Sequence, residues 1–213
     1  MAKAARTFKN LTFLAIGSIA GAVALGGLRA WSLRWGADPL EEGGYLPGDE
    51  AMAYADHQST RAITIRTAPS RVWPWIAQIG TGRAGFYSYD WLENLCGLDI
   101  HSADKIVPDL QGIAVGDTVS LAKGVDLQVA ELEPESHLVL TGTGVDDKKM
   151  PFEFSWAFVL HQQAPARTRL IVRERYRYLG PLAAAIVEPV SLVSFLMSQR
   201  MLTGIKARAE ATD

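Results

Sequence analysis

Two runs in the second half of the sequence leave the chain little choice of fold. In FEFSWAFVL (152–160), Phe152, Phe154, Trp156, Phe158 and Leu160 fall on one side, and Glu153, Ser155, Ala157 and Val159 on the other. In TRLIVRERYRYL (168–179), Leu170, Val172, Glu174, Tyr176 and Tyr178 share a side opposite Arg169, Ile171, Arg173, Arg175 and Arg177. A period of two is the period of a strand and no helix presents it. The register is strongly specified, because a slip by one residue would exchange the two faces. These runs predict long neighbouring strands with an aromatic face that must be covered and an arginine face that meets water. Shorter alternating runs, DTVSLA, DLQVAELEP and SHLVLTGT (117–143), are split by Gly, Pro and acidic residues and predict further antiparallel strands. TRAITIRT (60–67) opens the series, with Ile63 and Ile65 alternating with Thr64 and Arg66.

Helical periodicity appears in three places. In APSRVWPWIAQIG, Ser70 can cap a helix beginning at Arg71, with Val72, Trp75, Ile76 and Ile79 on one face and Pro74 in the first turn. Ser88 can cap a short helix over YDWLENLC that buries Trp91, Leu92 and Leu95, with Gly97 as its C-cap. The segment from Pro181 to about Ala209 carries Leu192, Phe195, Leu196, Met201, Leu202 and Ile205 as an apolar stripe. Its main part is expected from Pro189, because an interior proline costs a helix about 3 kcal/mol.

The N-terminal residues have a different character. Leu11 to Leu28 carries no charge, lies between Lys3, Arg6, Lys9 and Arg29, Arg34, and is followed by Trp31 and Trp35. This pattern predicts a single-pass membrane anchor, with the rest of the chain on the extracytoplasmic side. A cleaved signal peptide, with Ala22-Val23-Ala24 as the cleavage site, is the alternative. Glu188 and Pro189 argue against a second span over Leu182 to Met197. The expected organisation is an anchor or signal at 1–35, a Gly-, Pro- and acid-rich linker at 36–59, and one globular domain at 60–210.

The element order is strand, two helices, a series of antiparallel strands and a long helix. With TRAITIRTAPSRVWPWIAQIG, RAGFYSYDWLENLCGLDIH and GDTVSLA, it resembles the START-like superfamily, in particular its polyketide cyclase-like bacterial members. The resemblance implies an α+β helix-grip fold, a curved antiparallel sheet wrapped around the C-terminal helix. It also implies an internal cavity for a hydrophobic small molecule or lipid. The residues point to a cavity independently, since one amphipathic helix is too narrow to cover so wide an aromatic face; a filled core is the alternative. The cavity residues expected are Trp75, Tyr87, Tyr89, Trp91, Phe154, Trp156, Phe158, Glu174 and Tyr176.

Candidate chemistry is sparse. Alternation places Glu174 on the inner face, where a carboxylate must be paired, hydrogen-bonded or protonated. Glu174 and His101, with a tyrosine, would be the acid and base of an enzyme of the cyclase or dehydratase type. Binding without reaction is the preferred reading, with the stretch Gly82 to Asp104 as a polar lid over the cavity. Asp99, His101 and Asp104 are close in sequence but match no metal-ligand spacing, Cys96 stands alone, and there is no GxSxG or phosphate-binding glycine loop. No metal or cofactor is expected. A net charge of −2 without a basic stripe points away from nucleic acid.

Overall fold

The computed structural model describes residues 25–95, 97–145 and 148–211. A helix at 25–33 (α1) is followed by α2 (Pro39–Gly43), β1 (His57–Ile65), α3 (Pro69–Ala77) and α4 (Asp90–Leu95). Strands β2 (Thr118–Ala122), β3 (Val125–Glu133), β4 (His137–Val145), β5 (Lys148–Ala164) and β6 (Arg167–Tyr178) come next, and α5 (Ala183–Ala211) ends the chain. The six strands form one antiparallel sheet in the order β1-β6-β5-β4-β3-β2. The architecture is α+β, with the sheet curved around the long C-terminal helix.

The register read from alternation holds. Phe154 lies opposite Tyr176, Trp156 opposite Glu174 and Phe158 opposite Val172. On the inner face, Trp156, Phe158, Leu160, Leu170 and Val172 join one core with Val72, Trp75, Ile76 and Ile79 of the α3 region and Met201, Leu202 and Ile205 of α5. Gly204 lets α5 come close to the loop before α4. A Cβ there would stand 2.3 Å from the Tyr87 carbonyl oxygen.

Four expectations are corrected. Most of the arginine face does not meet water: Arg177 is exposed as expected, but Arg169, Arg173 and Arg175 are covered. Residues 36–56, read as a linker, pack across it, burying Leu46 against Ala62, Val139, Ala157, Val159 and Ile171. Polar pairing makes this cover stable. Asp38 and Glu41 cap α2 reciprocally, and Arg169 donates to both Glu41 carboxylate oxygens at 2.7 Å. Arg173 donates to the Glu41 and Gly44 carbonyls at 2.6 and 3.0 Å and pairs with Asp49, which also pairs with Arg175 at 2.6 Å. Guanidinium groups with that many acceptors tolerate burial.

Proline positions also differ. The helix expected from Arg71 begins at Pro69, without a side-chain cap from Ser70, and Pro74 sits in its interior. Likewise α5 starts at Ala183, with Pro189 inside it. The carbonyls four residues back belong to Ser70 and Ala185, both exposed, so water can take the place of each missing N–H. The short helix α4 is turned from its expected face: Trp91 is 67% exposed, Leu95 is exposed, and Glu93 is buried.

The fourth correction concerns the membrane. Residues 11–24 of the Leu11–Leu28 run lie outside the described residues, and 25–28 open α1. No helix among the described residues is long and apolar enough to cross a membrane, which overturns the single-pass, extracytoplasmic localisation and disposes of a span over Leu182 to Met197. Helix α1 instead packs on α5, with Trp31 edge-on to Phe195 at 5.2 Å and Arg29 donating to Glu188 at 3.1 Å.

Candidate functional site: an apolar cavity with two carboxyl groups

The sheet is wider than the helices that cover it, and the uncovered part of its inner face is a cavity of about 450 Å³. Leu121, Val125, Leu127, Met150, Phe152, Phe154, Trp156 and Tyr176 supply the sheet wall. Val190, Val193, Met197 and Met201 of α5 face them, and Phe86, Leu92 and Leu98 close another side. Val190 and Val193 both line the cavity and are exposed, so the space opens to solvent beside α5.

Glu174 stands in this wall, opposite Ser59 on β1 and Trp156 on β5. It is well partnered. One oxygen accepts from Arg61 at 2.9 Å and from Ser194 and Ser198 at 2.8 Å each. The other accepts from Ser194 at 2.6 Å and, more weakly, from Ser59 at 3.4 Å. Arg61 is held in turn by the Ser32 carbonyl of α1 at 3.0 Å, and its side chain is fully buried. The Arg61–Glu174 pair thus ties α1, β1, β6 and α5 together. Beside it, the Tyr176 hydroxyl is pushed well above its ordinary pKa, by burial first and by the Glu174 charge second.

The second carboxyl group is Glu93, 6% exposed on α4 and also in the cavity wall. Ser88 donates to one of its oxygens, while the other is buried without a hydrogen-bond partner. Burial raises its pKa; the Ser88 hydrogen bond opposes the rise and the Asp90 charge adds to it. The Trp156 indole N–H is likewise buried without a partner.

Of the nine residues expected in the cavity, Phe154, Trp156, Glu174 and Tyr176 line it. Trp75, Tyr87 and Phe158 are packed in the adjoining core. Tyr87 donates to the Trp75 carbonyl at 3.0 Å, and burial pushes its hydroxyl pKa up to about 12. Tyr89 and Trp91 are on the surface, 6.4 Å apart between ring centres. His101 is exposed and pairs with its near neighbour Asp99, at 3.2 Å. The stretch between Gly82 and Asp104 is tied to itself, with Asp90 accepting from the Ser102 N–H and hydroxyl and Asn94 clasping the Ile100 backbone, and to α5 through the Asp104–Arg208 pair.

The residues missed carried a signal. Arg61 has the same parity as Ile63 and Ile65, which places it on the inner face. Ser191, Ser194 and Ser198 recur at helical spacing through the apolar stripe of α5, a polar line in a place where only an internal partner would favour it. Glu93 had none, because it follows from the rotation of α4.

No family model matches the sequence, and no curated protein matches it. Among solved structures, the chain is similar to a hypothetical protein from Helicobacter pylori at 14% identity, covering 78% of this chain and 95% of that one with a TM-score of 0.50. A protein from Mesorhizobium loti matches at 16% identity over 74% of this chain and 99% of that one, with a TM-score of 0.44. The di-domain ARO/CYC BexL of the BE-7585A biosynthetic pathway matches at 13% identity over 72% and 46%, with a TM-score of 0.39. At these identities the first likeness is one of fold alone, and the other two carry no argument.

Proposed function

We propose that the chain is a START-like binding protein that holds a hydrophobic small molecule or lipid in the cavity between the sheet and α5. The observation that carries this reading is the cavity itself. About 450 Å³ lies within the size range of small-molecule sites, and its wall is aromatic and aliphatic apart from a few polar groups. Covering the apolar wall of such a space removes it from water, so an apolar occupant is favoured.

Binding is preferred over cyclase or dehydratase chemistry because the expected base, Glu174, is already engaged, and Glu93, the cavity carboxyl group with a free oxygen, has no acid–base partner hydrogen-bonded to it among the described residues. A general base needs an oxygen free to take a proton from substrate. Glu174 spends its oxygens on Arg61 and three serine hydroxyls. His101, the other acid–base candidate, lies on the surface. Native mass spectrometry of the full chain after incubation with a lipid extract of its host tests the reading. One apolar molecule retained per chain is expected; a bare chain under conditions that preserve the fold would oppose it.

A further inference from the structure

The cavity wall is electrically one-sided. Among the described residues lining it are two carboxylic acids and no Lys, Arg or His. The Glu174 charge is matched by Arg61 from behind the wall. No charge among the described residues matches Glu93. It is 6% exposed, its only side-chain hydrogen bond is from the neutral Ser88 hydroxyl, and its second oxygen has no partner. A buried carboxyl without a cation is costly in the ionised form. The same wall carries the rings of Phe86 and Trp156, 6.2 Å apart between centres, and of Phe154 and Tyr176, 4.7 Å apart. Aromatic faces attract cations, and a buried acceptor oxygen completes an N–H donor group.

We propose that this cavity selects its ligand by charge, accepting an apolar molecule that carries a protonated amine and rejecting its carboxylate counterpart, with Glu93 as the residue that decides. The inference rests on the cavity-binding reading above and adds the class of head group. An ammonium ligand supplies the missing partner of Glu93 and leaves its hydrocarbon part against the sheet and α5. A carboxylate ligand meets a second carboxyl group in a largely apolar wall, with no free cation among the described residues that line it.

Decylamine, decanol and decanoate, three probes of equal chain length, test this by calorimetric titration of the full chain near neutral pH. A charge-assisted contact predicts that decylamine binds about tenfold or more tighter than decanol, and decanoate weaker than both. In Glu93→Gln the preference for decylamine over decanol is lost, and cooperative urea unfolding reports that the variant is folded. Should that variant not fold, Glu93→Met serves for the same comparison, and the three-probe series on the native chain decides the question on its own. Decanol binding with no preference for decylamine, or decanoate binding as well as decanol, overturns the charge selection and leaves the cavity reading standing. Failure of all three to bind overturns both.

Discussion

The Arg61–Glu174 pair makes a quantitative demand on stability. The Arg61 side chain is 0% exposed and that of Glu174 is 5% exposed, so neither charge can turn to water if the other is removed. Replacing one partner of such a pair costs about 3–5 kcal/mol, because the remaining ion is left buried without compensation. Glu174→Leu strands the guanidinium; Arg61→Leu strands the carboxylate among Ser59, Ser194 and Ser198. Each is expected to lower the melting temperature by roughly 10 °C for a chain of this size. Replacing both by leucine removes both charges together. The freed serine hydroxyls on α5 can bond back to helix carbonyls, so the double variant should recover most of the loss. Urea unfolding followed by tryptophan fluorescence, with Trp156 directly opposite Glu174, gives all three values. A coupling of at least about 2 kcal/mol is expected. Single variants within about 1 kcal/mol of the native chain, or a double variant that loses the sum of the singles, would refute the reasoning.

Three further perturbations test other parts of the structure. Burial raises the Glu93 pKa, so its folded value lies above its unfolded one. Its contribution is then fully present below the unfolded pKa and lost as pH rises through the folded pKa. Glu93→Gln should therefore melt higher than the native chain at neutral pH, and the difference should vanish on acidification towards pH 4; a scan of melting temperature against pH checks this. Asp49→Asn removes the shared anionic partner of Arg173 and Arg175, and should cost about 2 kcal/mol and expose the 36–56 segment to limited proteolysis before the sheet. Gly204→Ala places a Cβ against the Tyr87 carbonyl oxygen, and should cost about 1–3 kcal/mol by overpacking, read in the same urea assay.

How much of this was legible in the sequence depended on whether a residue's position follows from local periodicity. Phe154, Trp156, Glu174 and Tyr176 were placed on the inner face by alternation alone, because strand parity leaves one answer. Arg61 obeyed the same parity, but a charged residue at the start of a strand invites a surface assignment. The outer face shows where composition misleads. Arg169, Arg173 and Arg175 signal exposure until a segment far away in sequence brings Glu41, Asp49 and several backbone carbonyls to them, which no local pattern records. Pro74 is not in a first turn and Pro189 is not a helix start, because the cost of an interior proline depends on whether the orphaned carbonyl can reach water, a tertiary property. Helix α4 is six residues long, too short for periodicity to fix its rotation. That rotation turned Trp91 out and Glu93 into the cavity.

The central claim is that the space between the sheet and α5 is a binding site, and a neutral apolar fluorophore tests it most directly. N-phenyl-1-naphthylamine should bind the full chain saturably, one molecule per chain, with enhanced emission. Met197, on α5 in the cavity wall, offers the control: Met197→Trp adds bulk to the space and should abolish probe binding while unfolding remains cooperative. A probe that does not bind, or that binds a folded Met197→Trp chain as well as the native one, would contradict the account.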